Sequence, residues 1–330
     1  MAIRMLLDPS DVVGVRFALS PIWETTNAVR LLTRPGDGGY HGPWLAVARA
    51  AAAEADLSAL MAVHPPGAGW VPDFVAPPPR RAHPRFERQV EEVARTPLRR
   101  VVEELSRTRP DQTDPAAARV LDELLADPAA GLARLCAQLH DAWRLLIEPW
   151  WPRLRDVLDA DLAYRARTFA AEGLGATVDG IHDRVRWDAG AVAVQHDARI
   201  DHAVRGAGLV LQPSAFTWPS VITVVDPDGP ALLVYPVRGI AGLWRSSAPA
   251  PPAALARVLG ATRATLLADL EEPRATSVLA RRHGLGAPGV SSHLQALHGA
   301  GLLVRRRAGH EVRYVRTPLG DALVAGHRAG

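Results

Sequence analysis

Thr276-Ser-Val-Leu-Ala-Arg-Arg-His-Gly-Leu-Gly-Ala-Pro-Gly-Val-Ser-Ser-His-Leu-Gln-Ala-Leu-His-Gly-Ala-Gly-Leu-Leu-Val-Arg-Arg-Arg307 changes period twice within its own length. Residues 276–283 offer Val278, Leu279 and Ala280 as buried positions and end at Gly284, which reads as a short helix with a glycine stop. In residues 287–300, Val290, Leu294, Leu297 and Gly301 fall at i, i+4, i+7 and i+11, a single stripe of a second helix. Gly286 stands at its N-cap and Pro288 in its first turn, where a missing N–H costs nothing. The opposite face holds Pro288, Ser292, Gln295 and Gly299, with Ser291 on the flank. It carries no carboxylate.

The residues that follow read as a basic hairpin. Leu302 to Val304 continues into Arg305-Arg306-Arg307, residues 308–311 turn, and Val312-Arg313-Tyr314-Val315 returns. Two short helices and a basic hairpin have the layout of a helix-turn-helix with a wing, whose second helix enters the major groove. Ser291, Ser292 and Gln295 are then the candidates for base edges, because serine and glutamine donate and accept there. Arg305, Arg306, Arg307 and Arg313 are the candidates for phosphate contacts, with Arg316 as a further one.

The same residues resemble a known family. From about residue 254 to 324 the chain is similar to the winged-helix domain of ArsR-type transcriptional regulators. The likeness rests on Leu279 to Leu285, Val290-Ser-Ser-His-Leu-Gln-Ala-Leu297, Ala300-Gly-Leu302, Arg305 to Arg307 and Tyr314 to Gly320. Gly286 departs from the capping serine that relatives often carry. The resemblance implies a DNA-binding repressor that works as a homodimer. Many relatives sense metals through paired cysteines on the first of these helices or Asp/His sets on the last. Here residues 277–283 hold no cysteine, and the last helix offers only Asp321 and His327. No metal and no cofactor are expected.

Composition agrees with that reading. The single cysteine, Cys136, excludes a disulfide framework. No apolar run is long enough to span a bilayer, and the start is too short and too soon charged for a secretion signal, so a cytoplasmic protein is expected. Every one of the 38 basic residues is arginine. From Pro252 onward 11 arginines face 5 acids, whereas residues 1–251 hold 27 against 30. A basic end on a mildly acidic body suits docking to DNA.

The fold class expected is α+β: a mainly helical N-terminal body with a small antiparallel sheet, then a C-terminal winged helix-turn-helix. The boundaries are 1–173 for a helical sensor and dimerisation region, 174–245 for the β region, 246–252 for a linker and 253–330 for the DNA-binding domain. Ser20, Thr96, Asp114 and Asp127 each precede a proline and mark helix starts. Residues 64–84 are too proline-rich for a helix and read as an extended loop. Residues 185–194 read as a hairpin, and 208–212, 221–225 and 231–235 as further strands, with a turn at Asp226-Pro-Asp-Gly229.

All nine tryptophans precede residue 252. An apolar pocket lined by some of Trp23, Trp143, Trp150, Trp151 and Trp218 would let the body sense an organic small molecule. Against this stands simple core filling by the rings. Two other readings are a body that docks a protein partner and, more remotely, an enzyme using Asp197 with His196 or His202 in acid–base work. His196, Asp197, Asp201 and His202 otherwise read as a polar hairpin turn.

Overall fold

The computed structural model describes residues 1–34, 39–66, 70–197, 199–225, 229–240, 243–244, 253–270, 273–283, 285–308 and 311–325. The fold is α+β with small mixed sheets, and the chain divides into two compact units, Met1–Ile240 and Ala241–Gly330.

The first unit opens with β1 (Ala2–Leu6), α1 (Pro9–Val13), β2 (Arg16–Phe17) and α2 (Pro21–Thr33), then α3 (Gly42–Ala52), α4 (Ser58–Ala62), α5 (Phe86–Ala94), α6 (Leu98–Thr108), α7 (Pro115–Ala126), α8 (Pro128–Ala142) and α9 (Trp151–Asp179). Three of the four expected caps form. The Ser20, Asp114 and Asp127 side chains accept from backbone N–H groups of α2, α7 and α8, meeting donors that a helix start leaves open. Thr96 does not. Its N–H bonds the Val93 carbonyl and so closes α5, leaving Pro97 as the uncapped start of α6. Residues 64–84 hold no helix longer than the single 3-10 turn Asp73–Val75 among those described.

Between α8 and α9 the chain widens to a π-turn over Trp143–Ile147 and tightens to a 3-10 turn over Glu148–Trp150. Pro149 cannot supply an N–H to the ladder there, and the Trp44 indole N–H donates to the Leu146 carbonyl at 3.2 Å. Near Gly173 the expected change of pattern is a kink rather than an end. Gly173 has φ 84°, a left-handed conformation that favours glycine, and α9 resumes to Asp179.

The β region differs from the antiparallel sheet expected. Six further strands follow, β3 (Val185–Asp188), β4 (Ala191–Gln195), β5 (Ile200–Ala203), β6 (Leu209–Ser214), β7 (Ile222–Val224) and β8 (Ala231–Pro236). They build two sheets only by recruiting the N-terminal strands. One runs β3-β4-β1-β5, with β1 antiparallel to β4 but parallel to β5. The other runs β2-β6-β8-β7, parallel across β2, β6 and β8, with β7 antiparallel at the edge. The hairpin of β3 and β4 is as expected, closing at Ala189-Gly190. The hairpin expected around His196 to His202 is not one: β1 lies between β4 and β5. Six consecutive buried residues in β6 and five in β8 are the mark of strands covered on both faces, which parallel pairing produces. Met5, Val178, Val192, Leu209, Leu233 and Tyr235 meet in the core there.

The second unit contains α10 (Ala253–Leu259), α11 (Ala261–Ala268), β9 (Arg274–Ala275), α12 (Thr276–His283), α13 (Ala287–Gly299), β10 (Leu303–Ala308), β11 (Glu311–Arg316) and α14 (Pro318–Ala325). Leu266, Leu267, Leu279, Val290, Leu294, Leu297 and Leu303 form its core, under the three-stranded sheet β10-β11-β9. The expected linker 246–252, the turn residues Asp226 to Asp228, the helix stop Gly284 and His327 lie outside the described residues.

Candidate nucleic-acid interface

The amphipathic stripe of α13 holds with one change. Val290 and Leu294 are fully buried and Leu297 nearly so, but Gly301 lies beyond the helix and is exposed. Its φ of 71° ends α13 in a Schellman turn: the Gly301 N–H bonds His298 O and the Leu302 N–H bonds Leu297 O, both at 3.0 Å. That turn aims the chain straight into β10. At the other end Gly286 is the N-cap, with no side chain to bond, and Pro288 sits in the first turn.

On α12, Leu279 and Ala280 are buried as expected, while Val278 is only half-buried. A buried carboxylate that periodicity could not reveal ties this helix down. Asp269, at the C-cap of α11, is 2.7 Å from the Arg282 Nε and 2.9 Å from the His283 Nε2, both in the last turn of α12. Arg274 of β9 joins it, donating to the Asp269 carbonyl at 3.1 Å. Three elements, α11, β9 and α12, thus meet on one acid.

The face of α13 turned to solvent presents Ser292 and Gln295, exposed, and Ser291, half-buried. In the adjoining hairpin Arg306 stands directly opposite Arg313, and Arg305 opposite Tyr314. Arg305, Arg306 and Arg313 are exposed, and Arg307 stands opposite Val312. Arg306 and Arg313 therefore share one sheet face and Arg305 the other. Like charges directly across a ladder destabilise it, so folding alone does not favour the Arg306–Arg313 pair. Arg316 is not part of this set. Its side chain is 9% exposed, bonds Asp321 at 2.7 Å and the Ala268 carbonyl at 3.1 Å, and anchors α14 and α11 to β11.

Residues 86–241 match the model of a Family of unknown function (DUF5937). The match covers just under half of the chain, takes in α5 to β8, and stops where the second unit starts. No curated protein and no solved structure matches the chain.

Of the five tryptophans, Trp143 and Trp151 line one cavity together and Trp23 lines another. Trp143 stacks on Phe86 at 4.7 Å and meets Trp151 at 5.2 Å, beside a cavity of about 320 Å³. Trp218 lies tilted on Tyr40 at 4.6 Å. Trp23 instead lines a separate cleft of about 690 Å³, and Trp150 lines neither. Among the described residues no group of three or more His, Cys, Asp or Glu is placed to hold a metal ion, and no helix is long and apolar enough to cross a membrane.

Proposed function

We propose that the second unit is a winged helix-turn-helix of the ArsR type that reads double-stranded DNA, and that the protein is a transcriptional repressor acting as a homodimer. One observation carries the reading. The solvent face of α13, with Ser291, Ser292 and Gln295, holds no carboxylate and leads through a tight turn into a hairpin whose Arg305, Arg306 and Arg313 are exposed. Such a helix fits the major groove, with arginines beside it to hold phosphates. In a two-fold dimer, two α13 helices about 34–36 Å apart would meet successive groove turns of a near-palindromic site. On this reading the first unit senses an organic small molecule that sets DNA affinity.

The test is selection of bound duplexes from a random pool by the full-length protein, followed by binding titrations at several salt concentrations. Enrichment of a near-palindromic sequence, with affinity falling steeply as salt rises, is expected. Failure to retain any duplex at low salt would end the DNA reading.

A further inference from the structure

In the first unit, one face of α2 floors the cleft of about 690 Å³. Trp23, Thr26, Asn27 and Arg30 line it at i, i+3, i+4 and i+7, and Arg34, the C-cap with extended backbone, lines it just beyond the helix. The stripe is apolar at one end and cationic at the other. Trp23 is 7% exposed, and its indole N–H is buried with no acceptor. Trp70, with the Arg107 guanidinium 4.5 Å from its ring, and Val71 and Val75 continue the apolar wall.

At the cationic end Arg30, in the last turn of α2, is followed by Arg34 at the C-cap, and among the described residues no carboxylate forms an ion pair with either. Burial first, then the charge of Arg34, pushes Arg30 down to about 10. His64 also lines this cleft and is almost wholly buried. Its Nδ1 lies 2.7 Å from the Leu60 carbonyl, so that nitrogen carries the proton. Burial holds the ring neutral, with its pKa near 4, so His64 adds no charge at neutral pH. A half-buried guanidinium facing a second one is costly unless an anion sits between or beside them. Arg30 stands at the C-terminal end of α2, where the helix dipole is worth about 0.3–1 kcal/mol to a cation, which does not offset burial beside a like charge.

We infer that this cleft binds an organic carboxylate, its carboxyl group on Arg30 and Arg34 and its flat apolar body against Trp23 and Trp70. Arg30 lies seven positions after Trp23 on α2, about 10 Å along the axis, which matches the length of an aromatic acid. The cleft volume lies within the range of small-molecule sites. Binding itself stands without the DNA reading; its role as the signal that sets DNA affinity rests on that reading.

Calorimetric titration of the full-length protein with benzoate, phenylacetate and naphthoate, each beside its primary amide, tests the site. At least one acid binds saturably, and its amide binds about tenfold or more weakly, the loss of a charge-assisted hydrogen bond. Arg30→Gln abolishes the preference for the acid, and Arg30→Lys keeps part of it. Three results overturn the site: no acid binds, acid and amide bind alike, or Arg30→Gln keeps the preference. The acid–amide comparison needs no variant, so misfolding cannot mask the answer. Adding the acid to the protein–DNA complex separates the two ideas. Acid binding without change in DNA affinity leaves the site standing and removes its regulatory role; DNA binding without acid binding removes the site and leaves the DNA reading standing.

Discussion

Glu24 is a carboxyl placed where a charge is unwelcome. It is 1% exposed in α2 and accepts the Ala215 N–H at 3.0 Å, yet burial raises its pKa to about 8. The unfolded chain ionises this group near 4.5, so stability falls as pH rises from about 4.5 to 8 and is level beyond. His41 and His64 work from the other side. Burial lowers both to about 4 from 6.5, so the unfolded state takes up protons first and stability is lost as pH falls from 6.5 to 4. Denaturant midpoints followed across pH should therefore peak near neutral to mildly acidic pH. Glu24→Gln should remove the alkaline decline, which is on the order of a few kcal/mol, and leave the acid limb in place. An unchanged alkaline limb in that variant would place the titrating group elsewhere. On the DNA side, Gln295→Ala should relax sequence preference at about 1–3 kcal/mol if its contact is bidentate. Equal loss on all duplexes would show that α13 does not read bases.

Among the elements, those whose cause is local could be read from the chain. The caps at Ser20, Asp114 and Asp127, the stripe of Val290, Leu294 and Leu297, and the two-residue turn between β3 and β4 each depend on residues a few positions apart. Thr96 misled because its N–H answers to the helix before it. The parallel strands were misread because β1 and β2 lie some 200 residues from their partners, and no local period carries that pairing; the unbroken apolar runs of β6 and β8 were the available sign. The Asp269 hub escaped for the same reason, since an acid at a helix end looks like any surface carboxylate. Its removal is predicted to matter: Asp269→Ala strands the half-buried Arg282 and should cost about 3–5 kcal/mol, read as loss of the second unit's melting transition. Gly320 makes a sharper local test. A Cβ there collides with the Leu302 carbonyl oxygen, so Gly320→Ala should destabilise the second unit by about 1–3 kcal/mol, while Gly289→Ala, in open space, should not.

For the whole molecule, charge is partitioned: the residues after 251 are net basic and those before are net acidic. Arg306→Gln should lower the slope of log affinity against log salt by about one, with little effect on folding. A slope that does not move would remove Arg306 from the phosphate contacts. The tryptophans taught the complementary lesson. Their number was visible, but whether rings face a cavity or one another depends on helix placement; of α2 the sequence offered the Ser20 cap and Trp23 but not the cleft that Thr26, Asn27 and Arg30 share with it.

The position of β1 bears on how the protein is made. Ala2–Leu6 is synthesised well before its partners, which end at Ala203. At about 5–20 residues per second, that strand waits roughly 10–40 s on the ribosome before its sheet can close. Throughout that interval Ile3 and Met5 are apolar side chains on an unpaired strand, which is the species that chaperones hold and that aggregates when they do not.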